Sequence, residues 1–476
     1  MRLLSLVPMT LVFTGLAACG SDATGADASV AGDAGPQQDA SPQQDAGSNA
    51  NASVLPSSIV CNAQNICTVP IGDYNTNMTW APDKTFVLSL GAEQGPANVF
   101  IRSPATLTIR PGTKIFASGR IALVIDRGAK VEAVGTAAQP IVFSSAKTDG
   151  MRARGDWGGI VINGRAPANC AANGGTCEGE GSSGQYGGDQ PTDDSGTFKY
   201  VRVEFAGAKI TETNEYNGIA LQGVGSGTEI DFVQLHLPSD DGIEFFGGTV
   251  NAKHIVISGA GDDSIDWTFG WNGKFQFATV VQYSDDSDSA FEADNNETNN
   301  DALPRSSPVL SNVTVAGAMG KNGILLRRGT AAQIWNTVVT GSANCVDIDS
   351  IPSTFNQLTA GAIVFRNTIH NCTSNTVRIN DEMDGMMMPL MDADSTGPVN
   401  ALNIITMMQT NNVTADPLIT VARTAGMRPS FVPAAGSPAL MGGSKPADAF
   451  FDEVSYIGAM TTGGDWTTGW TDFAAN

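Results

Sequence analysis

The chain has 476 residues, with 26 Lys and Arg against 48 Asp and Glu and a formal net charge of −22 at pH 7. Such an excess of negative charge repels phosphate backbones and anionic lipid, which excludes nucleic acid as a partner. It is compatible with calcium and with neutral or cationic sugars, whereas an anionic glycan would need a local basic patch or a bridging metal.

At the N-terminus, Arg2 precedes an apolar run from Leu3 to Leu16 that is too short to span a bilayer stably. The run ends in Leu16-Ala17-Ala18-Cys19, which resembles the lipobox of bacterial lipoproteins. That resemblance implies a signal peptide over residues 1–18, an acylated Cys19 as the mature N-terminus, and a membrane partner held through the lipid. Gly20 follows in place of an inner-membrane retention aspartate, so the implied location is the outer membrane. An ordinary signal peptide ending near a chance cysteine is the alternative.

Residues 19–57 are mostly Ala, Asp, Ser, Gly, Gln and Pro, with Pro36-Gln37-Gln38-Asp39-Ala40 repeated as Pro42-Gln43-Gln44-Asp45-Ala46. Almost nothing there can be buried, and a disordered tether is expected. Setting aside its five aspartates and Arg2 leaves 43 acids against 25 bases for the rest.

A parallel β-helix with an N-terminal lead-in is expected over residues 58–428. Leu107 to Ile115 and Leu123 to Val131 match at an offset of sixteen residues and read as two small rungs. A Gly-rich excursion from Pro167 to Ser195 follows; no Gly-Lys-Ser/Thr accompanies it, so a phosphate loop is rejected. Then one phrase recurs seven times, opening at Asn217, Asp241, Asp263, Ser289, Asn322, Asn344 and Asn375. Each opening residue tolerates a turn, and an apolar residue stands at the third and usually the fifth position. That alternation is a short strand with one buried face. Units of 22 to 33 residues, with no helical period between them, point to a solenoid of stacked strands. Val201 to Phe205, Phe232 to Leu235 and Ile255 to Ile257 begin a second series of strands. The interval after Ser289 carries a polar insertion from Asp294 to Asp301, and the one before Asn375 includes Ser350 to Leu358.

Aligning the phrases stacks Ile219, Ile243, Ile265, Phe291, Ile324, Val346 and Val377 inside the coil. The fourth position points outward and holds Ala220, Glu244, Asp266, Glu292, Leu325, Asp347 and Arg378. Adjacent rungs lie roughly 4.8 Å apart. Nine carboxylates therefore concentrate on three consecutive rungs: Asp240, Asp241, Glu244, Asp262, Asp263, Asp266, Asp288, Glu292 and Asp294.

Three readings compete for them. They are turn residues and a solvated face; or ligands of Ca²⁺, the candidate cofactor, because stacked like charges need a counter-ion and oxygen-only donors select calcium; or catalytic groups, because adjacent and alternate rungs fit the spacings of glycosidase carboxylates. Arg327 is the nearest basic group, and an ion-pair ladder Asp294–Arg327–Asp349 is expected for it. Phe246 and Trp271, beside the acidic rungs, are candidates to stack on a sugar together with Arg327, while Trp267 is expected in the core.

Six cysteines remain after Cys19, allowing fifteen pairings. Their spacing favours Cys61–Cys67 and Cys170–Cys177, and Cys345 and Cys372 stand about one rung apart. Asp381 to Asp394 carries Met383, Met386, Met387, Met388 and Met391, read as a loop packing on apolar surface rather than as a Cu(I) site. Residues 429–476 are expected to cap the solenoid end.

Gly155-Asp156-Trp157-Gly158-Gly159, Asp240-Asp241-Gly242-Ile243-Glu244-Phe245-Phe246, the Phe431 to Leu440 segment and Asp465-Trp466-Thr467-Thr468-Gly469-Trp470 together resemble a family of exported bacterial lipoproteins. These are right-handed parallel β-helices of the pectate-lyase-like superfamily. The resemblance implies fold and export, and no particular activity. Asp240-Asp241 and Asp262-Asp263 also resemble the paired aspartates of polygalacturonases. The chain departs from that pattern elsewhere: His236, His254 and His370 are its only histidines, none in Gly-His-Gly, and it has no Arg-Ile-Lys. The reading is a cell-surface, non-enzymatic glycan-binding or structural module with a polysaccharide as candidate partner. The alternative is a calcium-dependent polysaccharide lyase or glycoside hydrolase.

Overall fold

The third-position residues of the repeated phrase do stack. Ile219 pairs with Ile243, Ile243 with Ile265, Ile265 with Phe291, Phe291 with Ile324, Ile324 with Val346 and Val346 with Val377, all in parallel. The column continues upstream through Ile160, Leu123 and Val99. This computed structural model describes residues 51–89, 97–171, 175–211, 214–285, 287–349, 352–379 and 409–476, with the short strands Glu382–Met383 and Met386–Met387. The signal peptide, Cys19, most of the tether and the side chains of the Met-rich stretch lie outside the described residues.

Each coil gives one short strand to a sheet of 11 strands and one or two to a sheet of 18, counted among the described residues. Alternation sends the fifth-position residues inward as well, and Leu221, Phe245, Trp267, Ala293, Leu326 and Ile348 are fully buried. Burying one such large apolar side chain stabilises by about 1.5–3 kcal/mol. Two inward columns on every coil therefore dominate the energetics. The chain is a right-handed parallel β-helix.

A third column turns the chain. Tyr200, Phe232, His254, Phe277, Asn312, Asn336 and Asn367 all have φ between +47° and +60°, each at or beside the bend in the second sheet. Left-handed backbone is costly for aromatic residues, and stacking offsets it. The ring centroids lie 4.4 Å apart for Tyr200–Phe232, 4.1 Å for Phe232–His254 and 5.0 Å for His254–Phe277. Farther along, asparagine takes over, since it tolerates this conformation. Asn367 Nδ2 donates to Asn336 Oδ1 at 3.1 Å.

Several expectations are corrected. The sixteen-residue rungs do not exist: Leu107 pairs with Met78 and Val131, and Ile115 with Phe86 and Phe143, in one sheet. Leu123 lies in the other sheet, between Val99 and Ile160. Every strand of a coil alternates in the same way, so segments from different faces resemble each other. The N-terminal lead-in already forms strands, at Val60–Cys61 and Ile66–Pro70. The interval before Asn375 holds a short α-helix, Ser353–Thr359.

Residues 429–476 make their described contacts with the flank of the coil rather than its end. Asn336 Nδ2 donates to Ser444 O at 2.9 Å, Gln276 Nε2 to Asp452 O at 3.0 Å, and Asp472 N to Gln234 Oε1 at 2.9 Å. The flank carries Phe205, Leu237, Val281, Tyr283 and Ala316, which would otherwise face water; Phe431 and Met460 cover them. The three disulfides Cys61–Cys67, Cys170–Cys177 and Cys345–Cys372 are formed.

Candidate functional site

The acidic rungs lie on the strands Ile243–Phe246, Ile265–Thr268 and Ser289–Ala293, where Glu244 pairs with Asp266 and Asp266 with Glu292. The turn residues before them join one coil to the next. Asp241 Oδ1 accepts the Asp263 N–H at 2.9 Å, and Asp263 Oδ1 accepts the Ser289 N–H at 2.5 Å. Side-chain acceptors thus continue along the axis what the strands do between their backbones.

The result is four overlapping triads, each with its oxygens within 4.8 Å of one another. Asp241, Glu244 and Asp266 form one, and Asp263, Asp266 and Glu292 the next, so Asp266 belongs to both. On the outer side, Asp240, Asp241 and Asp262 form a third and Asp262, Asp263 and Asp288 a fourth. Asp262 and Asp288 are exposed, whereas Asp241, Glu244 and Asp263 are buried. On the fourth-position face Glu244 is buried, and Asp266 and Glu292 are half-buried.

At one end arginine supplies the counter-charge. Arg327 Nε pairs with Asp294 Oδ1 at 2.9 Å and another of its nitrogens with Glu292, and Arg328 reaches Asp294 Oδ2 at 2.8 Å. The Asp294 leg of the expected ladder forms, with Glu292 as the second partner. Asp241, Glu244, Asp263 and Asp266 have no Lys or Arg bonded to them among the described residues. Burial first, and then the neighbouring carboxylates, push all four well above the usual carboxylate range. Burial and Glu215 push Asp240 up to about 9. Asp266 Oδ1 is sealed from solvent and has no hydrogen-bond partner among the described residues.

Such a cluster holds either protons or a cation. Oxygens on opposite sides of a calcium ion, at about 2.3–2.6 Å each, stand roughly 5 Å apart, which the triads match. No histidine or thiol takes part, so the donor set fits a hard cation.

The structure brings eight of the nine acids of the sequence reading into these triads, leaves Asp294 at their end on Arg327 and Arg328, and removes two aromatics from the seam. Phe246 is packed under Tyr186, at 6.2 Å, against Ala220 and Phe269. Trp271 is fully buried, stacked on Phe245 at 3.9 Å, with Nε1 donating to Val250 O. Neither ring is offered to a sugar. The Gly-rich excursion covers the first, and the chain turns inward after Thr268 to bury the second. Arg327 is likewise occupied by its two carboxylates. Trp267 lies in the core, with Nε1 on Thr330 Oγ1 at 3.0 Å.

Sequence reasoning missed Glu180 and Glu215. Glu180 sits in a three-residue 3₁₀ turn of the excursion, Glu180–Ser182, and burial with Glu215 raises it to about 7. No periodicity connects this loop to the acidic column. The one available signal is an acid in a long Gly-rich insertion just ahead of the acidic coils.

A parallel β-helix with a carboxylate seam on its outer face defines the class. The profile of the pectate-lyase like beta helix domain matches residues 72–416, so the chain belongs to that family. Among solved structures it is similar to the Azotobacter vinelandii mannuronan C-5 epimerase AlgE4 A-module, at 12% identity and TM-score 0.33, covering 67% of this chain and 82% of that one. No curated protein matches the chain.

Proposed function

We propose that the protein is a calcium-holding, non-catalytic β-helix module of the cell surface, anchored by lipid at Cys19 to the outer membrane and binding glycan through its acidic seam. The observation that carries the reading is Asp266, shared between two triads, with one sealed oxygen that has no hydrogen-bond partner among the described residues. Leaving a buried carboxylate oxygen unpaired costs several kcal/mol in order of magnitude, and a bridging cation uses that oxygen. The exposed edge at Asp262 and Asp288 leaves coordination positions for sugar hydroxyls or carboxylates.

A calcium-dependent polysaccharide lyase or glycoside hydrolase is the second reading. Burial, and then Arg328, lower the Arg327 guanidinium beside the seam, as a base beside a metal would require. Its ion pairs to Glu292 and Asp294 oppose that use.

Calorimetry on chelated protein tests the first reading. Calcium should bind with measurable heat and raise the melting temperature, by about 2.7 kcal/mol of stability at 100 times the dissociation constant. Glu244→Gln with Asp266→Asn should remove the response. No heat and no shift would return the acids to a proton-sharing structural role. A polysaccharide panel read by reducing ends and unsaturated products decides between the readings; turnover lost in Asp266→Asn establishes the enzyme.

A further inference from the structure

The Gly-rich excursion crosses the outer face of the coil beside the first acidic rung, and neutral contacts fix its path. Gly181 has φ +61°, and a Cβ there would fall 2.0 Å from Tyr216 Cε1. Only glycine lets the loop lie against that ring. Tyr216 OH donates to Gly181 O at 2.7 Å, the Gly181 N–H to Asn214 Oδ1 at 2.9 Å, and Asn163 Nδ2 to Ser183 O at 2.7 Å. This anchoring delivers the Glu180 carboxylate to the coil.

There it meets a second carboxylate. Asn217 Nδ2 stands 2.6 Å from Glu244 Oε2 and 3.5 Å from Glu180 Oε2. The two carboxylate oxygens are thus no farther apart than those two contacts laid end to end. Asn217 is 2% exposed, and its Oδ1, at the same end of the side chain, is buried without a partner among the described residues. One amide donor shared by two acids is a weak reason for a loop to carry a glutamate there, since Glu215 adds a further negative charge. The orphaned amide oxygen is an independent sign that something electropositive belongs beside it.

We propose that a divalent cation held by Glu180, Glu244 and the side-chain oxygen of Asn217 clamps the Gly-rich excursion to the coil. The proposal rests on the calcium reading of the seam and adds a position to it, because a carboxylate has two oxygens and Glu244 can serve two ions. A half-turn of the Asn217 amide exchanges Nδ2, which now faces both carboxylates, for Oδ1 and so presents the oxygen to the ion. The excursion, already seated by its neutral contacts, is then held more tightly against the first acidic rung when calcium is bound.

Hydrogen exchange and calorimetry on the full, disulfide-intact protein test this, with calcium added to chelated samples. In the wild type, calcium should slow exchange across residues 178–187 by at least about tenfold as well as protecting the strand Ile265–Thr268. Glu180→Gln, which keeps shape and removes one charge, should lower the number of bound ions by one. It should abolish the protection of 178–187 and leave that of Ile265–Thr268 intact; Asn217→Ala should behave likewise. If calcium protects Ile265–Thr268 but not 178–187, or if Glu180→Gln binds as many ions as the wild type, the clamp is wrong and the seam reading stands. If calcium binds nowhere, both fail.

Discussion

His236 shows at a single side chain how this fold handles charge. Its Nδ1 lies 2.7 Å from Ser258 Oγ and its Nε2 2.8 Å from Ala474 O. A carbonyl can only accept, so Nε2 carries the proton and Ser258 donates to Nδ1. The neutral ring is satisfied on both sides, and burial lowers its pKa to about 4 from 6.5. The unfolded chain takes up a proton at the higher pH and the folded one only at the lower. Stability from this residue is therefore complete above pH 6.5 and declines as pH falls toward 4, by roughly 3 kcal/mol. Denaturation across that window should show the slope, and His236→Gln should flatten it. The seam acids run the other way. Asp240 and Glu180 are raised to about 9 and about 7, so the folded state holds protons that the unfolded state has released. Chelated protein should lose stability as pH climbs from the ordinary carboxylate range through 7 and 9. Saturating calcium should remove that loss, and Asp266→Asn should stabilise the chelated protein while weakening the response to the ion.

The individual strands account for what could be read in advance. The inward columns were legible because apolar residues at positions three and five leave one register that buries both, and Ile219 through Val346 obey it. The same alternation misplaced Leu107 and Leu123 on one face, because it states which side of a strand is buried and not which sheet the strand joins. The eight acids of the triads followed from the register alone. The burial of Phe246 and Trp271 and the arrival of Glu180 did not, since each depends on where a loop of irregular backbone comes to rest. Trp267 is a test of the columns: fully buried and bonded to Thr330, it should cost about 3–5 kcal/mol as Trp267→Ala in thermal or denaturant unfolding. The Cys345–Cys372 bond joins neighbouring coils over 27 residues. Removing both sulfurs should lower stability by about 3–4 kcal/mol on the loop-entropy account, leaving the acidic rungs and their calcium response in place.

A stack of coils in which each touches only its neighbours should fray from either end. Here the C-terminal segment prevents that, since its contacts extend from Gln234 to Asn367 and join rungs that never meet directly. Trp466 and Trp470 close over the aromatic column, edge-on to Phe232 at 6.3 and 6.0 Å. Truncation before Ser444 should expose that column, with dye binding and aggregation as readouts and a broadened, multi-step melt in place of one transition. The route of this segment also sets how the molecule would yield to force. The last residues lie beside His236 and Gln234, in the midst of the coils. Tension applied to the C-terminus would therefore peel the strap contact by contact, with Ala474 and Asp472 first, before any strand was loaded. In an optical trap that predicts small, low-force extensions followed by the larger rupture of the coils, so the strap would act as a mechanical fuse.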